Sequence, residues 1–315
     1  MKFNLIDLPN QRKRHEGEIP LIGGICIFLG LCASQFYFNE LNQTIIIILI
    51  SSFLILILGV MDDFFNLGVK FKLIAQLIII VLTVIFSEIK ITSLGNLFGL
   101  ENTFDLGLLS LPLTIIAIVG LTNAFNMIDG IDGQASFLTI ISIMGMFLFN
   151  IHIAAPYLFN LLLAILAGLI PFLIFNIISH KNKIFLGDGG SLFLGFNISL
   201  ALIYSAQNLK IFSPSFALWC VAIPLFDFFC VIILRKINKQ SSTIASRDHI
   251  HHFLENFYSS KIWILMFVTI AGIGLIALGY FIENNFSSIS LPVFILLFFI
   301  YLSIRFYFSF KEKHF

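Results

Sequence analysis

A succession of apolar runs, each about as long as a bilayer is thick and joined by short polar links, constrains this chain more than any other feature. A membrane-crossing helix needs about 20 largely apolar residues, because each residue advances the axis by about 1.5 Å and the hydrocarbon layer is about 30 Å deep. Ten runs approach that length: 20–38, 44–61, 71–87, 106–125, 134–150, 156–178, 190–206, 212–234, 262–281 and 290–308. The run 190–206 is the weakest, since it carries Asn197 and several serines. Only 11% of the residues are charged while 59% are hydrophobic, and the mean hydropathy is +1.02. A water-exposed surface needs far more charge than that. The sequence therefore predicts an all-α polytopic membrane protein of about ten spans, with the bilayer as its main solvent. A net charge of +1 offers no case for nucleic acid as a partner.

Orientation follows from the basic residues, which gather in cytoplasmic loops. With the N-terminus inside, sixteen Lys and Arg fall in inside segments and only Lys90 and Lys210 fall outside. That asymmetry predicts an even number of spans with both termini cytoplasmic. The polar N-terminal segment 1–19 is not a signal peptide. Cys26, Cys32, Cys220 and Cys230 all lie in apolar runs without a CxxC spacing, and they read as small buried hydrophobes with no disulfide and no metal. Pro20, Pro171 and Pro224, in or beside spans, read as kinks.

Every polar cluster then falls on the inside face. Asp62 and Asp63 close the second span. Adjacent acids at a membrane surface repel each other, and a cation is their natural compensation. Asn123, Asn126, Asp129 and Asp132 recur every three residues at the end of the fourth span, so the first three can share one helix face, and Gly130 and Gly133 mark where the helix opens into a loop. Their oxygens are the kind that Mg²⁺ prefers, with phosphate and water completing its shell. Asp188 stands in KIFLGDGGS, whose glycines would let backbone amides approach a phosphate. The longest inside loop, 235–261, carries Arg247, His249, His251 and His252. These suit a pyrophosphate or sugar better than zinc, for which further Cys or His ligands are scarce. Asp227 sits seven or eight residues before Arg235, roughly 12 Å into the eighth span. An acid at that depth is either functional or a structural hydrogen-bond partner, and the sequence leaves both readings open.

Taken in order, DLPNQRKRHEGEIPLIGG, GVMDDFFNLGVKFK, NAFNMIDGIDG, KIFLGDGGS, AIPLFD and RDHIHH resemble the motifs of the polyprenyl-phosphate N-acetylhexosamine-1-phosphate transferases, from residue 4 to about 257. His-Ile-His-His after an arginine is similar to the WecA type, whereas the MraY type shows three consecutive histidines after a proline. The resemblance implies a single transferase domain over 1–315 in the bacterial cytoplasmic (inner) membrane, crossing it many times. A UDP-N-acetylhexosamine, UDP-N-acetylglucosamine in the WecA type, would give its sugar-1-phosphate to undecaprenyl phosphate or another polyprenyl phosphate and release UMP. This would begin lipid-linked cell-envelope polysaccharide synthesis. Mg²⁺, with Mn²⁺ as substitute, is the implied cofactor, with Asn126 and Asp188 its ligands. Asp62 and Asp63 would contact the lipid phosphate or act as base, and Asp129 and Asp132 would orient the nucleotide side, with Asn123 beside them. Lys72 would approach the pyrophosphate, while Arg247, His249, His251 and His252 would bind the sugar-phosphate. Arg14 and His15 would face the lipid phosphate or close the cleft. Direct in-line attack and a covalent aspartyl intermediate both remain open. A homodimer is one assembly the resemblance allows. Relatives usually carry one more span before the DxPNxRxxH motif, which here begins at residue 7, so either this member lacks that helix or the true start lies upstream of Met1.

Three other readings compete. A second UDP-2-acetamido sugar would preserve the chemistry. A secondary transporter would place its ionisable residues near the midplane of repeated halves, whereas these acids gather at helix ends. A non-catalytic scaffold would not need the full set of acids and histidines.

Overall fold

The computed structural model describes residues 5–7, 17–38, 41–95, 104–179, 181–237 and 248–314, with the backbone alone over 310–314. A short antiparallel pair, β1 (Ile6–Asp7) and β2 (Ile19–Pro20), precedes thirteen helices among the described residues. These are α1 Gly23–Tyr37, α2 Gln43–Phe65, α3 Val69–Ser87, α4 Ser110–Ile128, α5 Gln134–Phe147, the single turn α6 Ile151–Ala154, α7 Pro156–Leu173, α8 Gly187–Ile203, α9 Pro214–Cys220, α10 Ala222–Ile237, α11 Ile250–Glu255, α12 Lys261–Phe286 and α13 Ser290–His314. Single π-helical turns prolong α7 and α8.

Six helical stretches are long and apolar enough to cross a membrane, or seven if α9 and α10 count as one bent span. The chain is thus a polytopic helical membrane protein. One of the six, Lys261–Ser309, covers 49 residues. A straight helix of that length would reach about 74 Å. Yet Phe308 near its end rests on Phe257 just before its start, with ring centroids 5.3 Å apart. The chain therefore turns back at Phe286 (φ −147°, ψ 49°), and α12 and α13 form a hairpin.

The run with the weakest apolar signal proves to be the hub. Every residue of α8 from Gly189 to Ile203 is buried, against α1, α2, α4 and α5. Its polar residues serve contacts between helices, as where Ser52 of α2 donates to Asn197 at 3.1 Å. Small residues let the backbones close in. A Cβ on Gly24 would lie 2.3 Å from the Cα of Gly190, and one on Gly59 would lie 2.4 Å from the Cα of Gly189.

The prolines divide. Pro224 lacks the N–H that would bond the Cys220 carbonyl, and the chain breaks there, α9 and α10 meeting at 83°. Ser142 of α5 donates to that freed carbonyl at 2.7 Å. Pro171 precedes the π-helical turn of α7 by three residues. Pro20 lies in β2, outside any helix, so the kink expected there does not exist; its carbonyl instead accepts from Phe185 at 2.9 Å.

Candidate active site at one end of the bundle

The end of α2, the start of α3, the end of α4 and the start of α8 meet at one end of the bundle. Lys72 stands at the centre. Its ammonium donates to Asp62 Oδ2 at 2.6 Å, Asp188 Oδ2 at 3.1 Å and Asn126 Oδ1 at 3.3 Å. One cation thus holds together two carboxylates from different helices that would otherwise repel each other. Asp62 also accepts from the amide of Leu67 at 2.8 Å, closing the turn into α3, where Asn66 adopts φ +49°. Asn126 donates to Ser191 at 2.9 Å, so α4 is pinned to α8 one turn past Asp188.

Asp63 takes a different place. Its two oxygens accept the amides of Asp188 and Gly189 at 3.0 and 3.3 Å. It thereby caps the N-terminus of α8, where unpaired amides and the helix dipole favour an anion. This revises the reading of GDGGS as a phosphate loop. Those amides are already engaged, and Gly189 and Gly190 serve the close approach of α2 and α1. Gly187 alone needs a left-handed conformation, with φ +76°.

The loop 129–133 between α4 and α5 forms the second wall. Asp129 lies just past the last turn of α4, and removal of water together with the nearby Asp188 pushes its carboxyl up to about 8. Asp132 pairs with Lys183 at 2.6 Å. Asn123 faces away from this group, into the bundle, where it donates to the buried Gln76 at 2.8 Å.

The histidines close the third side. His251 lies against Gly130, where a Cβ would come within 2.1 Å of the imidazole, so only glycine admits the ring. Burial first, and then the adjacent His252, push His251 down to about 3, and it is neutral near pH 7. His249 stacks on it with centroids 5.9 Å apart. Asp227 is fully buried and accepts from His249 Nδ1 and from the amide of Ile250, each at 2.7 Å. Asp227 is thus a hydrogen-bond partner of the histidine loop, which is compatible with either of the two readings the sequence allowed. His252 sits farther out and pairs with Glu255 at 3.1 Å.

Of the residues singled out from sequence, Asp62, Asp63, Lys72, Asn126, Asp129, Asp132, Asp188, His249, His251 and His252 line or border this one region. Arg14, His15 and Arg247 lie outside the described residues. Sequence reasoning missed Gln76, Lys183, Ser191, Tyr301 and Arg305. An arginine within the apolar run YLSIRFYF was the clearest available signal, since a charge inside a span is costly.

The donor set at the centre is carboxylate and amide oxygen, which suits a hard divalent cation. Among the described residues no three His, Cys, Asp or Glu side chains converge as a metal-holding group. A cation here would therefore draw its remaining ligands from phosphate and water, as Mg²⁺ commonly does.

Comparison with known proteins points the same way. The family model of glycosyl transferase family 4 matches residues 45–206, which run from the first turn of α2 to just past the end of α8. A probable undecaprenyl-phosphate N-acetylglucosaminyl 1-phosphate transferase of Bacillus subtilis (strain 168) is 34% identical over 82% of this chain and 71% of its own length. The undecaprenyl-phosphate alpha-N-acetylglucosaminyl 1-phosphate transferases of Salmonella typhi and Escherichia coli (strain K12) are 33% and 32% identical, covering 96% and 95% of this chain and 83% of their own lengths.

Proposed function

The chain belongs to glycosyl transferase family 4, and on that premise we propose that it transfers N-acetylglucosamine-1-phosphate from UDP-N-acetylglucosamine to undecaprenyl phosphate and releases UMP. One observation carries the reading. Asp62, Asn126 and Asp188 converge on Lys72 at the same end of the bundle where the histidine loop packs on Gly130. Carboxylates, a central cation and histidines gathered at one end of the bundle suit diphosphate chemistry.

In the reaction an ionised oxygen of the lipid phosphate attacks the phosphorus that bears the sugar. The bond from that phosphorus to the bridging oxygen breaks, and UMP departs with the electron pair. No proton transfer is needed, because both phosphates are largely ionised near neutral pH. Lys72 supplies positive charge beside the diphosphate, and His249 and His251 hold the sugar-phosphate end. Mg²⁺, or Mn²⁺ in its place, would be held by Asn126 and Asp188 and would neutralise charge on the diphosphate. Direct attack is favoured over an aspartyl intermediate by the state of the two acids. Both oxygens of Asp63 accept amides, and those of Asp62 accept an amide and Lys72. Carboxylates so engaged are poor nucleophiles.

The reading extends to topology. Each of the ten apolar runs coincides with a described helix or helix pair, and Lys90 and Lys210 follow the far ends of α3 and α8. Ten spans in the bacterial inner membrane, both termini cytoplasmic, place the site at the headgroup plane, where a soluble nucleotide sugar meets a lipid phosphate. A homodimer is compatible with this arrangement.

The test is UMP release by purified protein in lipid nanodiscs, with Mg²⁺, undecaprenyl phosphate and a panel of UDP-sugars. Release with UDP-N-acetylglucosamine is expected. No release with any donor overturns the proposal, and a preference for another acetamido sugar overturns the donor assignment. Labelled UMP should not enter UDP-N-acetylglucosamine without lipid; robust exchange would exclude direct attack.

A further inference from the structure

Arg305 lies inside the last long helix, amid apolar residues, and is only 4% exposed. A charge so placed needs partners, and its planar fork reaches several elements at once. Nη1 donates to Asp227 Oδ1 at 3.2 Å and to the Tyr301 hydroxyl at 2.6 Å. Nη2 donates to the backbone carbonyl of Asp248, and the guanidinium lies 4.9 Å over the ring of Phe253. One side chain of α13 therefore touches α10, the residue next to His249, and α11.

The consequence runs through Asp227. Held by Arg305 and Tyr301 at Oδ1, this carboxylate keeps Oδ2 on Nδ1 of His249. That contact places a proton on Nδ1 and fixes the orientation of the ring. The same Asp227 Oδ1 accepts the amide of Ile250, the first residue of α11, and so sets where His251 meets Gly130. Stability alone does not require such a buried ionic network, because well-packed apolar side chains can do as well. It does fix orientation, since the rigid planar fork meets three acceptors in one set geometry, which the freely rotating ammonium of a lysine does not impose.

We propose that Arg305 is a positioning residue for the transfer, aligning the histidine loop through Asp227 with the fit of the nucleotide sugar as its consequence. The proposal rests on the reading above that the loop binds the sugar-phosphate. The test compares R305K and Y301F with wild type, as full chains in nanodiscs, by steady-state kinetics, thermal unfolding and hydrogen exchange of peptide 248–257. Loss of an orienting contact behind a site residue commonly costs about 10- to 100-fold in activity. R305K is expected to lose that much in kcat/KM for UDP-N-acetylglucosamine, to keep KM for undecaprenyl phosphate within about twofold, and to exchange faster over 248–257. Unchanged kinetics in R305K overturn the proposal, as does a loss shared equally by both substrates with unchanged exchange. Should R305K not fold, Y301F, which removes the two hydrogen bonds of that hydroxyl, from Arg305 and to Asp227, and is expected to cost at least about threefold, decides in its place: wild-type kinetics and exchange there overturn it. A wild type that releases no UMP overturns the proposed function instead, and the exchange measurement still decides whether Arg305 tethers the loop.

Discussion

Replacing Gly59 by alanine tests whether the packing of two helices sets the geometry of the site. The added Cβ would lie 2.4 Å from the Cα of Gly189, 2.5 Å from its nitrogen and 2.7 Å from the carbonyl carbon of Asp188. Non-bonded carbons settle at about 3.5–4.0 Å. The shortfall is therefore about 1 Å, and every atom met is backbone, so no side chain can swing aside. The helices α2 and α8 must part. Asp63 lies one turn beyond Gly59 and caps α8 through contacts of 3.0 and 3.3 Å. Stretching these by about 1 Å takes both beyond hydrogen-bond range. The Lys72–Asp188 contact of 3.1 Å is put at the same risk. Overpacking of this kind costs about 1–3 kcal/mol, and a displacement of about 1 Å in a site can cost about 100-fold in rate. The assay is UMP release in nanodiscs beside thermal unfolding, with Gly30→Ala as control. Gly30 has nothing within 4 Å of its added Cβ, so that variant should match wild type or gain slightly in stability from the better helix former. Gly59→Ala within about twofold of wild type in turnover and unchanged in Tm would refute the packing argument. A lowered Tm with intact turnover would refute the link from packing to chemistry.

Three further outcomes follow from the same contacts. Asp188→Asn should abolish Mg²⁺-dependent turnover while membrane expression and Tm stay near wild type; near-normal activity would remove it as a ligand. Lys72→Met should lower kcat by at least about 100-fold, because Asp62 and Asp188 lose the charge between them; activity within tenfold of wild type would show that another cation serves there. His251, held down to about 3, binds its proton more readily when unfolded, where its pKa is near 6.5. Stability should therefore fall as pH drops from about 6.5 towards 3, by at most about 1.4 kcal/mol per unit from this group. Denaturation of wild type and His251→Asn across that range checks it, and equal pH slopes in the two would discount the histidine.

The sequence made the frame legible because bilayer thickness fixes the length of an apolar run. It also made one side of the site legible, because costly polar residues gathered where lysines and arginines did. Its weakest run, which is a membrane-length helix in the structure, carried a faint signal for a physical reason. The residues of α8 look polar because the helix faces other helices on every side, so Asn197 and the glycines serve contact and not lipid. The roles within GDGGS were likewise hidden. That Asp63, from a helix some 125 residues earlier, takes the amides of Asp188 and Gly189 has no trace in local pattern. Arg305 did leave a trace, a charge within an apolar run, but its partners Asp227 and Asp248 come from a different part of the chain.

These placements bear on why the acids are arranged as they are. Of the neighbouring pair on α2, Asp62 turns to Lys72 and Asp63 to the start of α8. They lie one residue apart, about 100° around the helix, so a single turn of α2 addresses two elements. Asp63 secures the segment that presents Asp188, and Asp62 shares with Asp188 the charge of Lys72. Substitution of Asp63 would thus act through the position of Asp188, and substitution of Asp62 through its charge balance. An amide in place of Asp63 still accepts one backbone N–H, whereas an amide in place of Asp62 offers Lys72 no negative charge. The conservative change should therefore be tolerated better at Asp63 than at Asp62, an ordering opposite to the one expected if Asp63 were the attacking group.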